Sequence, residues 1–263
     1  MVTSSASRTA LITGASSGIG AAFARSLAAQ GYNLVLVARR GAQLRSLADE
    51  LHRKFNVRAR VFPADLSDPT QVKRLETLIA EAGDLEILIN NAGFGVPGKF
   101  AEIQAERNVE MIQVHVVATV RLCRAALPGM ISRGRGAIIN VSSVAAFMAG
   151  PKNATYSATK AYLNVFSEGL QDELKGTGVR VQALCPGLTR TEFHDRPGYE
   201  EYKTKIPAFL WMTAEDVVRE SLDGLEKDRV ICILGRKNRL IVAILRNRLG
   251  AVAVKALVAR FRG

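Results

Sequence analysis

Short apolar runs alternate with longer amphipathic ones along most of this chain. The runs "TALIT" (9–13), "NLVLVA" (33–38), "VRARVF" (57–62), "LEILIN" (85–90), "GAIINVS" (136–142), "VRVQALC" (179–185) and "RVICIL" (229–234) have strand length and are rich in β-branched residues. Between them lie stretches of helical length, such as "AAFARSLAAQ", closed by Gly31. Near-continuous apolar strands separated by helices suit a parallel sheet covered on both faces, because both sides of each strand must be buried. The pattern predicts an α/β fold: a doubly wound parallel sheet of about seven strands with helices on both faces, built as a single domain over residues 1–235. One long irregular segment runs from Pro186 to about Pro207, inside a loop placed at about 187–213, and is dense in turn formers and charge. Loops of that length in compact domains are often lids or binding loops. Beyond Leu234, "GRKNRLIVAILRNRLG" and "AVAVKALVARFRG" read as two helices broken at Gly250, a C-terminal extension over 236–263 that is apolar on one side and basic on the rest.

Charge adds a question about partners. The 263 residues carry a formal charge of +12, which brings nucleic acid, a membrane surface or an anionic ligand into view. Its distribution is uneven: from Arg229 onward nine basic residues occur without a single acid, whereas the first two thirds mix both signs. No RNA-binding signature occurs and no aromatics interleave with the basic residues, so nucleic acid is not expected. Two readings of the tail stay open. Its apolar residues pack on the body or at a subunit interface, or it lies on a membrane surface, with basic residues flanking Leu240–Leu245 and Ala251–Val254. Against the second stands charge that does not gather on one face; in its favour would be a lipid-like substrate such as a long-chain ketone. Cys123, Cys185 and Cys232 lie far apart without a Cys-x-x-Cys pair, which suits a reducing, cytoplasmic setting. The N-terminal apolar run is too short for a signal peptide and no unbroken apolar run reaches spanning length, so a soluble protein is expected. His52 and His194 lack metal-ligand spacing, and no metal is expected.

Chemistry enters at "TGASSGIG" (13–20), directly after the first strand and opening the first helix. A strand ending in small residues and passing into a helix offers backbone N–H groups and a positive helix end to a phosphate. Gly14, Ser16, Ser17, Gly18, Ile19 and Gly20 are therefore candidate dinucleotide contacts; a purely structural tight turn is the alternative. At the end of the second strand, where an acid would hydrogen-bond a ribose 2′-hydroxyl, stand Arg39 and Arg40. Two guanidinium groups favour a 2′-phosphate, hence NADP(H), unless they are simply solvated at a strand end.

Three further stretches accompany that turn: "NNAG" (90–93), Ser143 thirteen residues before Tyr156, and Tyr156-x-x-x-Lys160 within "YSATKAYL". With "PGLTRT" (186–191) they resemble the short-chain dehydrogenase/reductase family over roughly residues 8–235. The resemblance implies a Rossmann-type sheet and an NADP(H)-dependent oxidoreductase of the carbonyl reductase or alcohol dehydrogenase type. It implies Tyr156 as acid/base, Ser143 holding the substrate oxygen, and Lys160 on the nicotinamide ribose while tuning Tyr156. It further implies that Asp65 and Leu66 meet the adenine, that Asn91, Ala92 and Gly93 pass the adenosine ribose, and that Pro186, Gly187, Leu188 and Thr191 lie at the nicotinamide. Homodimers or homotetramers pairing the long helices at about 106–133 and 155–175 are implied as well. A tyrosine titrates near 10, so poising it near neutrality needs its phenolate stabilised by roughly 4 kcal/mol, for which a nearby ammonium and the positive nicotinamide ring have the right sign. On a helix, residues i and i+4 share a face, which places Lys160 beside Tyr156.

His115, in "MIQVHVVATVRL", departs from the pattern: it occupies the position of the asparagine that usually completes a catalytic tetrad. It is expected either to replace the amide structurally, or to gain charge at mildly acidic pH and so disturb proton relay through Lys160. The second case would suit a different function, an NADP(H)-binding regulatory or structural protein with weak or no turnover.

Overall fold

The structure, a computed structural model, describes residues 8–148, 150–195, 199 and 206–246. Seven strands, β1 (Thr9–Thr13), β2 (Asn33–Ala38), β3 (Ala59–Pro63), β4 (Leu85–Asn90), β5 (Gly136–Val141), β6 (Val179–Cys185) and β7 (Ile231–Ile233), form one sheet in the order β3-β2-β1-β4-β5-β6-β7. Every pairing is parallel. β3 starts two residues later than the apolar run because Asn56 turns left-handed, at φ 54°, to end the helix before it. β7 is shorter than its apolar run because Asp228, also left-handed, leads in through a turn.

Alternate residues of each strand face opposite layers, which is why the strands read as continuous apolar runs. Ile12, Leu36, Ile89 and Ile139 pack under α1 (Gly18–Ala29), α2 (Gly41–Phe55) and α7 (Ala214–Glu226), whose Phe23, Leu44 and Val217 complete that core. Leu11, Val35, Leu88 and Ile138 face α3 (Pro69–Glu81), α4 (Ala105–Ile112), α5 (Ala118–Ser132) and α6 (Ala154–Glu173) through Leu75, Met111, Leu122 and Leu170. A π turn, Gln113–Val117, joins α4 to α5 without a break. By length and composition alone the stretch Ala105–Ser132 could cross a membrane. It is instead a core helix, packed on the sheet and held to α3 by the Arg121–Glu76 ion pair at 2.6 Å. The first tail helix is α8 (Arg236–Arg246); the second, expected after Gly250, lies outside the described residues.

β1 and β4 are neighbours whose connections leave to opposite sides, so a crevice opens beyond their carboxyl ends. Thr13 and Asn90 end those two strands, so the glycine turn and the NNAG turn face each other across the crevice.

Candidate active site

A cavity of about 1330 Å³ occupies this crevice. At one end the glycine turn bends sharply: Gly14 has φ +66°, and a Cβ there would lie 3.0 Å from the Ala92 Cα. Gly20 sits beneath the turn, off the cavity wall, where a Cβ would lie 2.3 Å from the Gly14 carbonyl oxygen. The Thr13 hydroxyl accepts from the Asn91 and Ala92 N–H groups at 2.9 and 3.0 Å, and the Asn91 amide donates to the Thr13 and Gly14 carbonyls. Asn91 thus braces the two turns with its side chain. Gly14, Ser16, Ser17, Gly18 and Ile19 all line the cavity, as do Ala92 and Gly93.

No side chain caps the first N–H groups of α1. Arg40 reaches over that helix end and donates to Ser16 Oγ at 3.0 Å and Ser17 Oγ at 2.9 Å, while the Glu192 carboxylate accepts from it at 2.8 Å. Arg39 stands beside it, more exposed, 3.8 Å from Asp65, whose carboxylate accepts from Ser67. Two guanidiniums, two hydroxyls and an open helix N-terminus fit a phosphorylated dinucleotide by charge and by donor count. Leu66 joins Asp65 in the wall.

The opposite end holds Ser143, Tyr156 and Lys160. Ser143 follows β5 and caps a short 3-10 turn, accepting from the Ala145 N–H at 3.1 Å, so its own O–H remains a donor toward the cavity. Tyr156 and Lys160 lie one turn apart on α6, which Ser142 ties to β5 by donating to the Lys160 carbonyl at 2.8 Å. Lys160 is buried; its Nζ donates to the Val141 carbonyl at 2.7 Å and lies 5.7 Å from the centre of the Tyr156 ring. Burial brings the Lys160 ammonium down to about 8. Burial also pushes the Tyr156 phenol up to about 12, against a smaller downward pull from the Ser143 hydroxyl. Desolvation disfavours the charged form of each group, the phenolate of Tyr156 and the ammonium of Lys160.

His115 lies behind the wall, at the π turn, and does not line the cavity. Its Nε2 accepts from the Phe94 N–H at 3.0 Å, and its Nδ1 lies 2.9 Å from Thr159 Oγ, which in turn donates to the Tyr156 carbonyl. This pattern requires a neutral imidazole with the proton on Nδ1. Burial, reinforced by the Lys160 charge, holds it well below the usual histidine range, and the Phe94 N–H bond to its Nε2 lone pair favours the same neutral form. Of the two expectations for His115, this geometry favours structural replacement of the amide: a second ring proton would break the Phe94 bond and place a cation near an ammonium. A Cβ on Gly93 would lie 2.9 Å from His115 Nε2, so the larger ring fits because residue 93 is glycine.

Pro186, Gly187, Leu188 and Thr191 run from β6 along the same end. The segment is held by Met212, whose N–H donates to the Leu188 carbonyl at 2.9 Å and whose carbonyl accepts from the Arg190 N–H. Residues 8–200 match the family described as short chain dehydrogenase. The chain belongs to that family. A very-long-chain 3-oxoacyl-CoA reductase from Phaeosphaeria nodorum is 40% identical over 225 residues, covering 82% of this chain and 62% of that protein. A short-chain dehydrogenase from Sphingobium yanoikuyae in complex with NADPH is 36% identical with a TM-score of 0.83, covering 94% and 95% of the two chains. A family member from Burkholderia phymatum in complex with NAD is 26% identical with a TM-score of 0.80, covering 94% and 95%.

Several wall residues of this short-chain dehydrogenase lie outside the motifs, Phe193 and Tyr199 within the long segment read above as a binding loop. Phe193 packs 5.9 Å from Tyr156, and Tyr199 packs 5.4 Å from Phe193. Val144, Met148, Leu210, Ile241 and Ile244 complete an apolar wall. The last two come from α8, whose Asn238 fills the space a side chain at Gly187 would need, at 2.4 Å. The amphipathy of the tail was the only sequence signal for them.

Proposed function

We propose that this oxidoreductase is an NADP(H)-dependent carbonyl reductase, reversible as an alcohol dehydrogenase, acting on a carbonyl carried by a bulky or long apolar body. The observation that carries this reading is the convergence of Ser143, Tyr156 and Lys160 at the apolar end of a cavity whose other end holds Arg39 and Arg40. A bound nicotinamide supplies hydride to the carbonyl carbon. Ser143 donates its hydroxyl to the carbonyl oxygen and orients it, with its acceptor lone pair already taken by Ala145. Tyr156 then gives its phenolic proton to the same oxygen as negative charge builds there. With its phenol pushed up to about 12 by burial, Tyr156 carries its proton at pH 7 and can deliver it to the oxygen. Lys160 remains mostly an ammonium at that pH and, with one proton on Val141, keeps donors for the ribose and for restoring the phenol.

The preference for a 2′-phosphate rests on Arg39, Arg40, Ser16 and Ser17, since both NADPH and NAD occur among the similar structures. The substrate class rests on the apolar wall and on the 3-oxoacyl-CoA reductase among the relatives. The reading of a binding protein with little turnover had His115 as its reason, and a neutral, fully hydrogen-bonded His115 no longer supplies one. The test is NADPH oxidation against short ketones and long-chain 3-oxoacyl thioesters, with NADH in parallel. Arg39→Ala combined with Arg40→Ala is expected to cut the NADPH over NADH preference by roughly tenfold or more, as loss of charged hydrogen bonds implies. An unchanged ratio would assign the two arginines to solvent.

A further inference from the structure

The outer flank of α8 leaves apolar side chains in water beside the cavity. Leu240 is 64% exposed, Ile241 and Ile244 are each 40% exposed, and Phe209, from the segment before α7, is 67% exposed. On a helix these three α8 residues and Lys237 fall within one sector, while Val242 is buried and Asn238 donates to the Leu234 carbonyl at 2.9 Å on the side facing the body. Arg236 is exposed at the sector's border, and Arg239 is exposed on the opposite side of the helix. The Lys237 ammonium lies 4.2 Å from the centre of the Phe209 ring, so the patch carries a cation at its rim.

We propose that this patch, Phe209 with the outer flank of α8, docks on an anionic lipid bilayer and sets the mouth of the cavity against it. Apolar side chains bordered by cations match the boundary between acyl chains and anionic headgroups. From Arg229 to the end nine basic residues face no acid, and four of them follow the described part of α8 in 247–263. That charge argues against a second copy as occupant, because pairing two such flanks brings like charges together without a counter-ion. Ile241 and Ile244 belong both to the exposed patch and to the cavity wall, so the docking surface and the substrate end are continuous. The docking stands apart from the reaction proposed above and is read without it.

The experiment is co-sedimentation of the full chain with vesicles of phosphatidylcholine alone or mixed with phosphatidylglycerol, at low and high salt. The expected result is binding to the mixed vesicles at low salt, roughly tenfold or more above phosphatidylcholine alone, and weakened by salt. Phe209→Ser with Leu240→Ser changes two exposed residues outside the cavity wall. This variant is expected to lose about tenfold in vesicle binding while NADPH oxidation with a water-soluble ketone is unchanged. Three results would overturn the proposal: no binding to anionic vesicles, wild-type binding by the double variant, or self-association that the double variant abolishes. The second would assign the attraction to tail charge alone and the third would assign the patch to another copy.

Discussion

His115 accepts from one backbone N–H and turns its other ring nitrogen to Thr159, so its neutral form is built into the fold. The unfolded chain carries no such constraint and takes a ring proton below about 6.5. Between that value and the lower folded-state value the unfolded state binds more protons, so stability is lost as pH drops, by up to about 1.4 kcal/mol per unit. His115→Asn removes this contribution: denaturant unfolding between pH 7 and 5 should show a shallower loss in the variant, and turnover at pH 7 should persist. Equal slopes in both proteins would mean that His115 titrates normally. Tyr156 is the opposite kind of residue, one whose single oxygen carries the proton the reaction needs. Tyr156→Phe keeps the ring that packs against His115 and Phe193 and deletes only that oxygen, so NADPH should still bind while turnover falls by at least about a thousandfold.

At the scale of elements, α6 and β5 form the rigid part of the site and α8 the variable part. Ser142 and Lys160 each bond across from α6 to β5, fixing Tyr156 relative to Ser143. α8 contributes Ile241 and Ile244 to the apolar wall, so Ile241→Ser with Ile244→Ser should lower kcat/KM for a long-chain carbonyl by roughly tenfold or more and spare a short ketone. Steady-state kinetics on the two substrates decides this. The strands were legible because a two-sided parallel sheet writes itself as apolar runs, and the glycine turn because phosphate cradles demand small residues at fixed places. The π turn at Gln113–Val117 was not legible, since it changes backbone hydrogen bonding without changing the apolar pattern. Thr13 and Thr159 were missed for a related reason: their hydroxyls act on groups 79 and 44 residues away in sequence, through contacts that only the fold brings together.

For the whole molecule, the switch between β1 and β4 places an anion-binding end and a proton-transfer end in one crevice, and the two can serve a single dinucleotide. Apolar side chains remain exposed on the sheet's helical flank, Val109 and Ile112 on α4, Val117 in the π turn and Tyr162 and Val165 on α6. We propose that these helices pair in a homodimer or homotetramer; light scattering should give a multimer that Val165→Glu shifts toward monomer, and a wild-type monomer would end that proposal. The central claim is chemical and can be tested directly, by following NADPH absorbance with a long-chain 3-oxoacyl thioester for the wild type and for Tyr156→Phe. Steady oxidation by the wild type is expected, faster than with NADH, and none above background in the variant despite retained NADPH binding. Turnover by Tyr156→Phe at the wild-type rate would contradict it.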